Sequence, residues 1–165
     1  MLRRVQAPEW SPEAARLGIV TTISPLAVSD RSEWDALWAD YLVFYRSELA
    51  PEVTDDVFAR LTSEDGLHGA IARDETGRAV GFVHWLFHPS TWTTSSSCYL
   101  EDLFVAPDVR GGGVGGALIA HVRDAAEAAG AEKVYWLTEE SNETARRLYD
   151  RVATRTGFIH YEIEL

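Results

Sequence analysis

A glycine-rich run constrains the fold of this chain more than any other feature of its sequence. Residues 110–116 read Arg-Gly-Gly-Gly-Val-Gly-Gly; they follow the apolar residues 99–105 and precede a helical pattern near Ala117. Glycine lets the backbone approach a ligand closely, and amides at the start of a helix attract an anion. Arg110 adds a charge-assisted contact to the same anion. The run therefore predicts a loop between a strand and a helix that holds the pyrophosphate of a nucleotide-like ligand.

The spacing of the glycines first suggests a dinucleotide-binding fold. Gly111, Gly113 and Gly116 satisfy the G-x-G-x-x-G fingerprint, and Glu139 lies at roughly the 20-residue distance that this fingerprint expects. That fold, however, places its first glycine at the tip of a strand, whereas residues 106–110 intervene here. It also continues with βαβ units of about 30 residues or more. Only 26 residues follow Glu139, so this alternative fits poorly.

A second spacing, Arg110-x-x-Gly113-x-Gly115, resembles the R/Q-x-x-G-x-G/A signature of the GNAT superfamily of N-acetyltransferases. In that superfamily the loop holds the pyrophosphate of acetyl-coenzyme A. Residues 99–107 resemble the strand before the loop, and Asn142 followed by Tyr149 resembles a later Asn and Tyr motif. Residues 135–150 are similar to the bacterial and fungal subgroup that includes histone, polyamine and D-amino-acid acetyltransferases. The resemblance is strong from residue 99 to residue 158 and weak before Gly81.

The hydrophobic pattern predicts one domain over residues 1–165, with a loosely structured arm at residues 1–17. A chain of this length buries roughly two thirds of its unfolded surface. Predicted strands cover residues 18–23, 67–73, 79–87, 99–105, 134–138 and 157–163. Helices are predicted after caps at Ser29 or Asp30 and at Thr54, after the glycines, and from Asn142. The order is βααβββαβαβ, and the resemblance implies an α/β (α+β) fold: a mixed, mostly antiparallel sheet, splayed near the signature strand, with helices on both faces.

Composition excludes several classes of function. The formal net charge of −11 argues against a nucleic-acid partner, whose phosphates would be repelled. No apolar run reaches the roughly 18 residues of a membrane helix, and no apolar secretory region is present, so we expect a cytoplasmic protein. Cys98 is the only cysteine, which excludes an internal disulfide, and no metal site is predicted.

The acidic residues are concentrated in one part of the chain. Residues 30–65 hold ten acidic side chains against three arginines. These residues either form a solvated surface or attract a cationic amine substrate.

Acetyl transfer from a thioester to an amine needs a base for the ammonium and an acid for the departing thiolate. Glu101 is the expected base, because it matches the acidic residue of polyamine acetyltransferases in this superfamily. Asp102 is adjacent, so in a regular strand it faces the opposite side unless a bulge intervenes. Tyr149 is the expected acid, and its seven-residue offset from Asn142 places both on one helix face.

The resemblance implies the remaining contacts. Main-chain groups of Leu103, Phe104 and Val105 would hold the thioester and pantetheine. The pyrophosphate would bind the amides of Gly111, Gly112, Gly113, Val114, Gly115 and Gly116, with Arg110 and Arg146 as further contacts. Asn142 is either a contact to the coenzyme arm or a helix cap. Aromatic and acidic side chains suit an ammonium group, and the predicted acceptor site consists of Tyr45, Trp85, Phe87, Trp92 and Asp102.

These features together predict an acetyl-CoA-dependent N-acetyltransferase that acts on a primary amine of a small molecule, polyamine or amino acid. The alternative is a non-catalytic acyl-CoA-binding sensor or interaction module. The resemblance to the family also makes us expect a homodimer.

Overall fold

The computed structural model describes residues 22–165, and these residues divide into two compact units, 22–137 and 138–165. The predicted arm at residues 1–17 and residues 18–21 of the predicted first strand lie outside the described residues. Among the described residues, no helix is long and apolar enough to cross a membrane.

The first unit is built on one five-stranded sheet. Its strands stand side by side in chain order, and each pair is antiparallel except β4 with β5, which is parallel. This topology confirms the predicted mixed, mostly antiparallel sheet, and it is incompatible with a dinucleotide-binding fold, which needs a parallel one. The strands are β1 (Thr22–Pro25), β2 (Leu67–Arg73), β3 (Ala79–Pro89), β4 (Ser96–Val105) and β5 (Val134–Tyr135).

Three helices pack on this sheet: α1 (Arg31–Phe44), α2 (Pro51–Leu61) and α3 (Val114–Ala128). His84 on β3 contacts Trp34 of α1, whereas the next residue, Trp85, contacts His121 of α3. Because neighbouring residues of a strand point to opposite faces, α1 and α3 cover opposite faces of the sheet.

α1 begins at Arg31, directly after the predicted cap position Asp30, whereas the start of α2 differs from the prediction. α2 begins at Pro51, three residues before the predicted cap Thr54, because proline at the first helical position has the required φ and lacks an amide that would go unpaired. Before α1, a short 3-10 turn spans Val28–Asp30. The Asp30 carboxylate accepts a hydrogen bond from the Ala27 amide over 2.8 Å. It therefore closes the turn before the helix instead of capping the helix itself.

The parallel pairing of β5 with β4 is short. It joins Cys98 to Val134 and Tyr99 to Tyr135, while β4 continues to Val105. The predicted strand at residues 134–138 therefore ends early, at Tyr135. β4 has no strand neighbour on this side beyond Tyr99 among the described residues, and the predicted splay stays a prediction.

The second unit contains helix α4 (Glu143–Val152), which Asn142 caps by accepting the Ala145 amide over 3.3 Å. The predicted strand at residues 157–163 is wrong: this described segment contains no strand. A strand needs a hydrogen-bonded neighbour in addition to alternating apolar side chains. Its large apolar side chains are 74–92% exposed, namely Phe158, Ile159, Tyr161 and Ile163.

Candidate active site

The glycine loop leads directly into α3. Gly113 is the residue before the first helical turn, and both it and Gly111 have left-handed backbone, with φ of 87° and 84°. Side chains rarely tolerate this conformation, so these two positions need glycine. The first amides of a helix have no partner within the helix, and a glycine cap provides no side chain to occupy them. The loop therefore presents the kind of amide cluster that binds a diphosphate.

Arg110 begins the loop but its side chain turns back onto the fold. Its Nε donates to the Val105 carbonyl over 3.0 Å. Its guanidinium lies over two aromatic rings, 5.6 Å from the centre of Phe44 and 5.7 Å from that of Phe104. Arg110 thus connects the loop with the end of α1 and the end of β4. Its role toward a diphosphate stays a prediction.

A bulge in β4 places the two adjacent carboxylates. His84 of β3 stands opposite Asp102, but the next residue, Trp85, stands opposite Leu100, so Glu101 has no partner on β3. The extra residue changes the alternation of side chains. Asp102 therefore faces the α1 side together with His84. A bulge of this kind is what the sequence-based prediction required for the carboxylates of Glu101 and Asp102 to lie near one another.

Glu101 occupies a partly exposed position next to other polar groups. Crowding by protein atoms raises the pKa of its carboxyl group, and the nearby charge of Asp102 raises it further. The negative charge of Glu101 in turn contributes to raising the pKa of Tyr99 and Tyr135, after their own burial. Among residues 22–165, no hydrogen bond or ion pair to the Glu101 carboxylate is found. This carboxylate is thus suited to accept a proton.

Asp102, by contrast, is bonded at both oxygens. The Tyr41 hydroxyl donates to Oδ1 over 2.6 Å, and the His84 Nδ1 lies 2.9 Å from Oδ2. The far nitrogen of His84 accepts from the Trp34 indole over 3.0 Å. Sequence reasoning missed these three partners, because Trp34 and Tyr41 belong to an apolar helix stripe and His84 is an isolated histidine in an apolar strand. Only the pairing of α1 with β3 and β4 brings them together.

The predicted acceptor residues fall into separate places. Tyr45 lies 4.8 Å from Tyr41, ring centre to ring centre, and so stands near Asp102. Trp85 and Phe87 instead contact His68, with Trp85 on the face that α3 covers. Trp92, in the loop between β3 and β4, is 82% exposed. The structure thus divides the predicted set: Tyr45 contacts the tyrosine that bonds to Asp102, whereas Trp85 and Phe87 share a contact with His68.

Arginines neutralise much of the acidic segment. Arg31 pairs with Asp35 and Asp55, which joins α1 to α2. Arg73 of β2 pairs with Asp30 and with Glu33. No ion pair within the described residues involves a further group of carboxylates, namely Asp40, Glu48, Glu52 and Glu64. Any attraction of a cationic substrate by this segment would come from this smaller group.

In the second unit, α4 carries the remaining predicted residues. Asn142 caps the helix, as one of the two alternatives requires. Arg146 donates to the Glu140 carbonyl over 2.6 Å. Tyr149 lies two turns beyond Asn142 on the same helix. Their contacts to a coenzyme stay predictions.

A mostly antiparallel sheet, a bulged strand with two carboxylates and an amide loop at a helix start form the arrangement of an acetyltransferase. The model of the acetyltransferase (GNAT) family matches residues 34–153, and the chain belongs to this family. The predicted enzyme class is thereby confirmed.

Curated relatives and solved structures agree with this assignment. The chain is 38% identical to the D-amino-acid N-acetyltransferase HPA3 of Saccharomyces cerevisiae, over 87% of this chain and 89% of that protein. It is 30% identical to the uncharacterized N-acetyltransferase YhfO of Bacillus subtilis, over 81% and 90% of the two chains. The crystal structure of a ribosomal-protein-alanine N-acetyltransferase from Brucella melitensis superposes with a TM-score of 0.76 at 26% identity, covering 88% of this chain and all of that one.

Proposed function

We propose that this enzyme transfers the acetyl group of acetyl-CoA to the primary amine of a small molecule, polyamine or amino acid. Acetyl-CoA is the co-substrate typical of the family. The observation that carries the proposal is the position of Glu101 in the bulge of β4. Its carboxyl group has a raised pKa, and no described side chain forms a hydrogen bond or ion pair with it. The name of the yeast relative adds D-amino acids to the acceptors to be tested.

Glu101 acts as the base in this proposal. An aliphatic ammonium has a pKa near 10.4, so at neutral pH a proton must leave before the nitrogen can attack. Glu101 takes that proton, directly or through a water molecule, and its raised pKa improves the match to its task. The nitrogen then forms a bond to the carbonyl carbon while the carbon–sulfur bond breaks.

Tyr149 acts as the acid and protonates the departing thiolate, and the second proton that the nitrogen loses as the amide forms restores the phenol. A thiol has a pKa near 8.5 and a phenol one near 10, so the transfer needs only a small driving force. The amides that begin α3 hold the diphosphate, with Arg110 and Arg146 as further proposed contacts. Main-chain groups of residues 103–105, on β4 beyond its pairing with β5, hold the pantetheine arm.

A thiol-release assay with a panel of amines tests the activity. The panel contains D- and L-amino acids, polyamines and simple primary amines, each incubated with acetyl-CoA. We expect release with at least one class and a loss of about 10²- to 10⁴-fold in Glu101→Gln. The exposed Glu132→Gln is the matched control. Binding of acetyl-CoA without release across the panel would instead indicate a non-catalytic sensor.

We also propose a homodimer as the working form. The large apolar side chains of residues 158–163 are exposed, and exposed apolar groups of this extent mark interaction surfaces. Because the resemblance to the family led us to expect a homodimer, we propose a second copy of the chain as the partner of this surface. The cytoplasmic location and the exclusion of nucleic acid stay predictions.

A further inference from the structure

A chain of hydrogen bonds runs from the interior of the first unit to the Asp102 carboxylate. Because an indole nitrogen can only donate, the Trp34 Nε1–H donates to His84 Nε2, 3.0 Å away, and that nitrogen carries no proton. The neutral imidazole then carries its proton on Nδ1. Nδ1 therefore donates to Asp102 Oδ2 over 2.9 Å.

Aromatic side chains enclose the middle of this chain. Trp34 is fully buried and His84 is 3% exposed. The His84 ring stacks on Phe82 with a centroid distance of 4.6 Å, and Trp38 lies 5.6 Å away. In such surroundings water does not compete for the hydrogen bonds, and the bonded groups keep one arrangement. The tautomer of His84 is thus set by Trp34.

The Tyr41 hydroxyl completes the chain on the other oxygen. Burial raises the pKa of the Tyr41 phenol strongly, and the charge of Asp102 raises it further. The phenol therefore stays protonated and donates to Oδ1. Both oxygens of Asp102 are acceptors, which is the state of an ionised carboxylate.

We propose, building on the function proposed above, that Tyr41, His84 and Trp34 are positioning residues. They hold the Asp102 carboxylate as an anion that does not receive the substrate proton, while its charge acts on Glu101, which does. The hydrogen bond between His84 and Asp102 also keeps these residues opposite one another, and so preserves the bulge that frees Glu101.

Asp102 is the charged group that acts on Glu101. The other titratable groups near Glu101 are Tyr99 on β4, Tyr135 on β5 and Tyr41 on α1. Burial raises the pKa of each of these phenols. They stay neutral in the working range of pH. Farther out, the Tyr135 hydroxyl bonds to His88 over 2.9 Å, and the Lys133 ammonium lies 5.6 Å from its ring centre.

The pH profile of kcat/KM in the full-length enzyme tests this division of roles. Glu101→Gln should lose about 10²- to 10⁴-fold in turnover. Asp102→Asn should lose far less, and its acid limb should move to lower pH. Without the neighbouring charge, Glu101 holds its proton less tightly and stays ionised further into acid. Tyr41→Phe retains the charge of Asp102, so the acid limb of its pH profile should stay where it is in the wild type. The exposed control Tyr161→Phe should behave in the same way.

Two kinetic outcomes would overturn the proposal. A loss in Asp102→Asn as large as that in Glu101→Gln would make Asp102 the base. An acid limb unmoved by Asp102→Asn would show that its charge does not act on Glu101.

Nitrogen-15 NMR of the imidazoles tests the chain without any turnover, so its failure is distinct from failure of the proposed function. We expect a protonated Nδ1 and a bare Nε2 for His84, since Nε2 accepts from Trp34 and Nδ1 faces Asp102. In Trp34→Phe the donor to Nε2 is lost, so the proton of His84 should no longer be restricted to Nδ1. Trp38→Phe, which removes a neighbouring indole with no hydrogen-bond partner among the described residues, should retain it. A proton on Nε2 in the native protein would refute the chain.

Discussion

Two neighbouring carboxylates of β4 have different hydrogen-bonding surroundings. Asp102 is held by a phenol and an imidazole, whereas no described side chain bonds to the Glu101 carboxylate. A carboxylate whose oxygens are both bonded is stabilised as the anion, and one crowded without a donor holds its proton more tightly. The proposed assignment of base and positioning residue follows from this difference at the scale of single side chains.

Replacement of Tyr149 by phenylalanine tests the acid. The change removes one hydroxyl and retains the ring, so α4 should keep its fold. We expect kcat to fall by about 10²-fold or more, with little change in the dissociation constant of acetyl-CoA, since the proton is needed only in the transition state. Steady-state kinetics and calorimetric binding measure the two quantities. An unchanged kcat would remove Tyr149 from the proposed role.

The single thiol should be unreactive in the native protein. Cys98 is fully buried, and burial raises its pKa to about 11. At pH 8 the thiolate, which is the reactive form, is therefore a very small fraction. A disulfide reagent should label the native chain slowly and one thiol per chain after denaturation. Labelling of the native protein as fast as a free thiol would contradict this burial, and would disturb a thiol-release assay.

At the scale of elements, the loop between β4 and α3 depends on backbone that side chains cannot replace. Gly111 and Gly113 have left-handed φ values, and the amides that follow begin a fifteen-residue helix. The helix dipole and the free amides act together only at such a start. In the proposed function the loop binds the coenzyme through its conformation, so a change of conformation or charge there should weaken that binding.

Gly113→Glu should abolish binding of acetyl-CoA, because it adds a negative charge to the amide cluster. Gly77→Glu is a matched control: Gly77 has nearly the same φ, 88° against 87°, but lies in the turn between β2 and β3. Both variants carry the same added charge and the same backbone strain of about 1–2 kcal/mol. Calorimetry should show binding in the control alone. Wild-type affinity in Gly113→Glu would disprove the loop assignment.

β3 and β4 approach closely where the predicted pantetheine site begins. A Cβ on Gly81 would lie 2.6 Å from the Phe104 carbonyl oxygen, so one strand must shift. We expect Gly81→Ala to lower the free energy of unfolding by about 1–3 kcal/mol. Thermal denaturation should show this as a fall in Tm of roughly 2–4 °C per kcal/mol.

Gly157→Ala provides the control for that change, because nothing lies within 4 Å of its added Cβ. Its stability should stay within about 0.5 kcal/mol of the wild type. Equal stabilities of the two variants would show that β3 and β4 tolerate the extra carbon.

At the scale of the whole molecule, charge and apolar surface are unevenly distributed. The net charge is −11, yet arginines pair with many of the acidic side chains between residues 30 and 65. The exposed apolar side chains near the carboxyl terminus are the other uneven feature. Charges are screened beyond roughly 8 Å at physiological salt, so an anionic coenzyme responds mainly to the local amides.

If the apolar side chains of residues 158–163 are buried in a homodimer, polar substitutions there should shift the protein from dimer toward monomer. Sedimentation equilibrium should give a dimer for the wild type and a shift toward monomer for the double variant Ile159→Asp, Ile163→Asp. Val28→Asp is the control, because Val28 is also exposed, at 71%, but lies in the first unit. A monomeric wild type, or a dimer that the double variant leaves intact, would disprove this interface.

Much of the fold followed from local pattern. The turn composition of residues 74–77 predicted the hairpin of β2 and most of β3. The glycines predicted the start of α3 to within three residues, and Asn142 predicted the cap of α4. The order of motifs predicted the family. The strand at residues 157–163 was wrong because its alternation lacks a neighbouring strand. Trp85 and Phe87 were grouped with Asp102 by sequence proximity, although the sheet separates them.

Sequence alone determined which backbone segments can be helix, strand or glycine loop, because propensity, capping and left-handed turns act over a few residues. Tertiary structure alone decided the surroundings of the two carboxylates. The bulge at Glu101 exists only against the register of β3, and the bonds that Asp102 accepts come from Tyr41, 61 residues away, and His84, 18 residues away. Burial and hydrogen bonding set the protonation of a side chain, and both depend on groups that only folding brings into contact.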